Sequence, residues 1–307
     1  MQSTRLPIFL VLATALFPTA CQGEPRVQDE PMVVHEEAVD ANGSVPEPDS
    51  LTQRLFDDVM EQARAENLHQ RPIGEMMQEI GLQFRAKPYL TGVLDAGGEE
   101  TLVCRLDGFD CVTFLESALA LARTIRSGEY SWDAYALTMR DQRYRGGEME
   151  GYCSRLHYFS DWIADNERRG NVRDITRELG GVPLEKDLNF MSTHRESYPR
   201  FATNDSLYQC IIEMEADLRD RELYYIPEDR IASVYDRLQA GDIIATATNI
   251  DGLDVTHTGL VYEHGDGRIG LLHASTSGGV KVSPDLQSYV QDNRSQIGIV
   301  VARPLAR

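Results

Sequence analysis

The feature that most constrains this chain is a change of hydrophobic period near residue 240. Beyond it, DIIATAT (242–248), THTGLVYE (256–263), IGLLHAS (269–275), VKVSP (280–284) and IGIVVARP (297–304) are short β-rich runs divided by Gly- and Asp-containing turns. That spacing predicts an antiparallel meander. Before it, Leu51, Leu55, Val59 and Met60 recur at steps of three and four, as do Ile73, Met76, Met77 and Ile80. Leu115, Ala118, Leu119 and Ala122 then share one face of a helix that begins near Asp110. The stretch from about 125 to 235 is mixed and mostly helical, punctuated by Pro183, Pro199 and Pro227. The expected fold is α+β: a helix first, a helical insert over about 125–235, and a small sheet that closes the chain.

The N-terminus reads as an address. MQSTR gives a basic start, and LPIFLVLATALFPTA is an apolar run of fifteen residues, too short for a bilayer span. Residues 1–20 are therefore expected to be an export signal. PTAC at 18–21 resembles a bacterial lipoprotein processing site, which would leave Cys21 lipidated; Pro18 departs from the usual leucine-like residue, so cleavage without lipidation is also open. Residues 21–50 hold Pro25, Pro31, Pro46 and Pro48 among mostly acidic charges. So little apolar surface predicts a disordered tether ahead of one folded domain over 51–307. The expected location is the periplasm, anchored to a membrane by lipid.

Formal charge is −19 and the sequence pI about 4.7. Such a chain is repelled by phosphate backbones, which excludes nucleic acid as a partner. Anionic membrane surfaces are disfavoured for the same reason, so membrane contact is expected only through the lipid anchor. Apart from Cys21 there are Cys104, Cys111, Cys153 and Cys210. An exported protein can pair all four; if Cys111 stays free for chemistry, at most one bridge forms among the rest.

GFDCVTFLE (108–116) places Cys111 in the first turn of its helix. The unpaired N–H groups and dipole at that end favour a thiolate and can hold an oxyanion. Asp110 acts against the thiolate, or caps the helix instead. A cysteine alone at such a place is more often inert packing. Two histidines change the odds. His257 shares a strand face with Gly259 and Val261, and His273 shares the next strand's face with Leu271 and Ser275. Adjacent antiparallel strands can bring both rings within hydrogen-bond reach. A nucleophile, a base and an orienting group would result.

The order FDC, then GD opening a strand, then HTGLVY, then LLHAS resembles the NlpC-type, papain-like peptidoglycan hydrolases. More narrowly it is similar to the N-acetylmuramoyl-L-alanine amidase-like family within them. FDCVTFLE (109–116), YCSRLHYFSDWI (152–163), FMSTHRESY (190–198), LYYIPED (223–229), GDIIATATNIDGLDVTHTGLVY (241–262) and LLHAS (271–275) carry the likeness over essentially all of 51–307. The resemblance implies a papain-like core with the nucleophile helix packed on a small antiparallel sheet. It makes Cys111 the nucleophile, His257 the general base and later acid, and His273 the orienting residue. It implies cleavage between N-acetylmuramic acid and L-alanine in peptidoglycan fragments (muropeptides), with no metal and no cofactor.

Within the insert, Arg155 can pair bidentately with a stem-peptide carboxylate. Tyr158 and Trp162 can pack on a sugar or lactyl group, and Asp161 can bind an amine. For each the rival reading is structural: an Arg–Asp pair and aromatic core at helical spacing. His194 and Arg195 carry the same two readings. Three other functions stay open. One is a D-glutamyl-diamino acid endopeptidase with the same triad. Another is a zinc hydrolase using some of His157, His194, His257 and His273, although no HExxH motif occurs. The last is a cell-wall-binding lipoprotein without catalysis.

Overall fold

The computed structural model describes residues 45–96 and 98–306. The export signal, Cys21 and the expected tether as far as residue 44 lie outside these described residues. The last residues of that expected tether are packed. Val45 lies against the core, Pro46 O accepts a hydrogen bond from Trp132 Nε1 at 2.6 Å, and Asp49 caps the first helix, α1 (Ser50–Ala65).

Helices α2 (Ile73–Gln83), α3 (Cys111–Arg126) and α4 (Trp132–Arg143) follow. α3 is the central one. Its Leu115, Ala118, Leu119 and Ala122 are buried as the periodicity predicts, but so are Phe114, Ala120, Leu121 and Ile125. A helix apolar on all sides must be surrounded. It packs between α2 and α4 and against two strands of the sheet described next.

The five expected β-runs form β4 (Ile243–Thr248), β5 (Val255–Glu263), β6 (Ile269–Ser275), β7 (Gly279–Ser283) and β8 (Gln296–Pro304). The order β8-β4-β5-β6-β7 is antiparallel throughout, and α3 lies on β5 and β6. Alternate residues serve two cores. Ile243, Ala245, Leu260, Leu272 and Ala302 join the helical side, while Ile244, Val261, Leu271, Ile299 and Val301 face a second cluster. That second face is covered by 3-10 turns over Glu228–Arg237 and by α9 (Leu286–Gln291).

The insert is helical in α5 (Phe159–Arg168), α6 (Phe190–Thr193), α7 (Pro199–Ala202) and α8 (Asp205–Leu218). It also gives the sheet β1 (Val172–Asp174), β2 (Val182–Pro183) and β3 (Tyr224–Pro227). β1 and β3 pair with opposite ends of β8, and β2 adds to β3. Strands this short are below the length at which alternation becomes readable. The insert has its own aromatic cluster, including Tyr152, Tyr158, Phe190, Tyr198 and Phe201. A Cys153–Cys210 disulfide ties the turn at Tyr152–Ser154 to α8, while Cys104 and Cys111 are free and buried. Among the described residues no helix is long and apolar enough to cross a membrane.

Candidate active site

Cys111 is the first residue of α3. Asp110 caps the helix: its Oδ1 accepts from Thr113 N at 2.7 Å, and Asp110 N donates to Thr113 Oγ1 at 2.9 Å. This reciprocal pair is a capping box, which fixes the turn that presents the sulfur. A second segment braces the same turn. Leu90 N donates to Phe109 O at 2.9 Å, and Phe109 N to Pro88 O at 3.0 Å. Gly108 makes room for this approach, because a Cβ there would lie 2.7 Å from Leu90 Cδ1 and 3.0 Å from Pro88 O. The approach brings Tyr89 close to Cys111.

The two histidines meet. β5 pairs with β6 from Leu260↔Leu272 to Glu263↔Ile269, and the registered pairing stops short of His257 and His273. Beyond it, His257 Nε2 and His273 Nδ1 lie 2.7 Å apart, and His273 Nε2 lies 3.0 Å from Ser283 Oγ on β7. Gly259 leaves the space that His273 fills, since a Cβ there would stand 3.0 Å from the His273 Cβ. Tyr289 of α9 packs on both rings, at 5.8 Å and 4.8 Å between centroids. Thr258, next to His257, donates from Oγ1 to Cys111 O at 2.9 Å and so ties β5 to the start of α3.

Electrostatics set the resting protonation. Burial and the neighbouring Asp110 charge push the Cys111 thiol up to about 12, against smaller opposing hydrogen bonds from Thr258. The helix end does not win: a desolvated sulfur beside a carboxylate keeps its proton. Burial lowers His257 to about 4, and burial with the His257 and Lys281 charges lowers His273 to about 2. At neutral pH the site therefore holds a thiol and two neutral imidazoles.

Cys111 and His257 line one cavity of about 430 Å³ together with Asp110, Arg155, Tyr158, Trp162, Arg200 and Asp254. Of the insert residues singled out in the sequence, Arg155, Tyr158 and Trp162 are thus brought to the site. Each also has a protein partner. Arg155 pairs with Asp95, the Tyr158 hydroxyl donates to Glu215 Oε1 at 2.7 Å, and Trp162 Nε1 donates to Glu116 Oε1 at 3.2 Å. Asp161 and His194 are not among the lining residues. Asp161 is buried between Arg145 and Arg221, at 2.6 Å and 2.9 Å. His194 stacks on Phe190 and bonds its carbonyl through Nδ1 at 2.9 Å, while Arg195 pairs with Asp205 at 2.6 Å. Among the described residues no group of three or more His, Cys, Asp or Glu side chains is arranged to hold a metal ion.

Residues 79–299 match the family described as AmiA-like, N-acetylmuramoyl-L-alanine amidase-like. The chain belongs to this family. The matched span contains Cys111, His257 and His273 and most of the sheet. Among solved structures, an N-acetylmuramoyl-L-alanine amidase from Bacteroides uniformis is 34% identical with a TM-score of 0.72, covering 76% of this chain and 98% of its own. A Bacteroides fragilis protein that carries a provisional xylanase name is 37% identical with a TM-score of 0.67, covering 73% and 98%. A Legionella pneumophila protein, 19% identical with a TM-score of 0.60 over 82% and 95%, shares the fold. No curated protein sequence matches the chain.

In this amidase-like chain several site residues escape sequence reasoning. Tyr89, Arg200 and Tyr289 come from three separate segments, and none sits in a periodic pattern or a short motif. Only the KPY and GFD pieces (87–89, 108–110) carry a trace, as a Pro and a Gly where two backbones cross.

Proposed function

We propose that the protein is a cysteine amidase that hydrolyses the N-acetylmuramoyl-L-alanine bond of peptidoglycan fragments, with Cys111 as nucleophile, His257 as base and His273 as orienting residue. The observation that carries this is the 2.7 Å contact of His273 with His257, which lines the cavity that also holds Cys111 at a helix start. One arrangement of protons makes His257 basic toward the sulfur. His273 Nε2–H donates to Ser283 Oγ, His257 Nε2–H donates to His273 Nδ1, and the His257 Nδ1 lone pair is left for the thiol proton.

The thiol passes its proton to His257 as sulfur attacks the lactyl carbonyl carbon. The Cys111 N–H at the start of α3 stabilises the oxyanion. The imidazolium then gives its proton to the leaving nitrogen of L-alanine, and a thioester remains on Cys111. Water, deprotonated by His257, attacks the thioester and releases the muramic acid carboxylate and the thiol. Because the resting pair is neutral, proton transfer accompanies attack instead of preceding it.

The helix-on-sheet arrangement is read as the papain-like core of the NlpC class, with Arg155, Tyr158 and Trp162 as the substrate wall. The protein is read as exported to the periplasm and lipid-anchored through Cys21. The Cys153–Cys210 bridge supports an oxidising compartment.

The test incubates the protein and its Cys111→Ala variant with a defined muropeptide and weighs the products by mass spectrometry. Free peptide beginning at L-alanine, lost in the variant, is the expected result. A Cys111-dependent cut after D-glutamate would make the protein an endopeptidase. No cut by folded, reduced protein would leave a wall-binding protein.

A further inference from the structure

The cavity has a second, cationic end. Arg155 lies there over the Tyr152 ring at 4.8 Å, and Arg200 over the same ring at 5.1 Å. Both guanidiniums reach Glu100, whose side chain is 2% exposed: Arg155 Nε at 3.6 Å and Arg200 Nη2 at 3.5 Å. Tyr144 adds a hydroxyl bond to the Glu100 carboxylate at 3.0 Å. These groups hold Arg155 from behind, inside the protein.

Its front edge is held differently. Arg155 Nη1 donates to Leu94 O at 2.7 Å, and Nη2 pairs with the Asp95 carboxylate. Leu94, Asp95 and Ala96 belong to one turn that also lines the cavity. The Arg155 side chain is 6% exposed, whereas that of Asp95 is 42% exposed. A buried guanidinium bordering the cavity is thus capped by a carboxylate that is already half in water.

We propose that Asp95 occupies, in the free protein, an anion subsite at the Arg155 end of the cavity that takes a carboxylate of the substrate's peptide stem. This rests on the muropeptide reading above. Asp95 regains its full hydration at little cost when it swings out. When Asp95 leaves, Glu100 still meets Nε at 3.6 Å, but the Nη2 edge of this buried guanidinium loses its charged partner, which costs stability. Asp95 therefore leaves most readily when another carboxylate arrives, which the guanidinium fork accepts through two parallel hydrogen bonds. A neutral carboxamide offers no such replacement. The turn at 94–96 thereby selects for acidic stems, and it weakens their binding by the fraction of time Asp95 holds the subsite.

The test measures binding by calorimetry to the full chain carrying Cys111→Ala, so that no turnover intervenes. The probes are N-acetylmuramoyl-L-alanyl-D-glutamate and its diamide. The diacid is expected to bind about tenfold tighter than the diamide. Adding Asp95→Asn should tighten the diacid about threefold or more and move the diamide less than about twofold. Arg155→Met should abolish the preference for the diacid. Should that variant not fold, Asp95→Asn decides alone, since its side chain is exposed. If Asp95→Asn weakens the diacid, or shifts both probes equally, Asp95 is a structural prop and the subsite is overturned. The two readings fail separately. Wild-type protein that cuts neither probe, with the diacid preference intact, removes the amidase and keeps the subsite. Cleavage of both probes with equal affinity keeps the amidase and removes the subsite.

Discussion

At Cys111 two local fields oppose each other. The helix dipole at the start of α3 favours a thiolate, while part-buried Asp110, which takes up the Thr113 N–H, adds a negative charge one residue away. Asp110 also does the capping, so removing it outright confounds two effects. Asn separates them, because its side-chain oxygen still accepts from Thr113 N but carries no charge. Asp110→Asn is expected to bring the thiol down from about 12 toward the ordinary cysteine value and to speed alkylation at pH 8 by about tenfold. Asp110→Ala should instead lower stability by about 1–2 kcal/mol through loss of the cap. Iodoacetamide rates against pH, with thermal melts of both variants, separate charge from cap. An unchanged thiol titration in the Asn form would show that burial alone keeps the proton on sulfur. The FDC triplet makes the helix start legible in the sequence. Which field prevails is not, because it depends on how deeply the sulfur is buried.

The elements show the same division between what a pattern reveals and what packing adds. β4, β5, β6 and β8 are legible because each is long enough to bury apolar side chains on both faces, and β7 because Val280 and Val282 alternate with Lys281 and Ser283. β1, β2 and β3 are two to four residues long and exist because β8 offers an edge to β1 and β3, and β3 offers one to β2. Trp162 and Asp161 adjoin on α5, yet only Trp162 borders the cavity, since the helix turns about 100° per residue and Arg145 and Arg221 claim Asp161. The histidine contact depends on Gly259 in the same way. An Ala there would meet Leu272 O at 2.9 Å and the His273 Cβ at 3.0 Å. Gly259→Ala is expected to cost about 1–3 kcal/mol of stability as the strands are pushed apart. It should lower kcat more than it raises KM, because the proposed base loses its proposed orienting partner while the cavity wall at Arg155 stays. Steady-state kinetics beside a denaturant melt check this. An equal rise of KM with kcat intact would mean that His273 does not act through His257.

Over the whole molecule, one buried histidine and two part-buried ones couple the site to stability. Burial lowers His257 to about 4 and, with the His257 and Lys281 charges, His273 to about 2. Burial and the Arg155 charge lower His157, beside Tyr152 in the cavity, to about 3. In the unfolded chain each titrates near 6.5. Between those values the unfolded state binds protons that the folded state refuses, so stability rises with pH there. It is fully present above about 6.5 and is lost progressively as pH falls toward 4 and below. The three rings sit at the junctions that hold the cavity together: β5 with β6, β6 with β7, and the insert beside Arg155. Acid should therefore open the catalytic end and the insert in one transition, with the Cys153–Cys210 bridge limiting how far the insert can depart. The melting temperature is expected to fall between pH 7 and pH 4.5, and His157→Asn to flatten part of that slope. His257→Asn should flatten another part while abolishing turnover. Melts across that range, with kcat/KM measured alongside, test both. The neutral base survives down to about pH 4, so activity per folded molecule should persist to lower pH than for an ordinary histidine, and the acid limb of a bulk assay should follow unfolding. An acid limb near pH 6.5 in protein still fully folded would show that His257 titrates normally in solution and that its surroundings admit water.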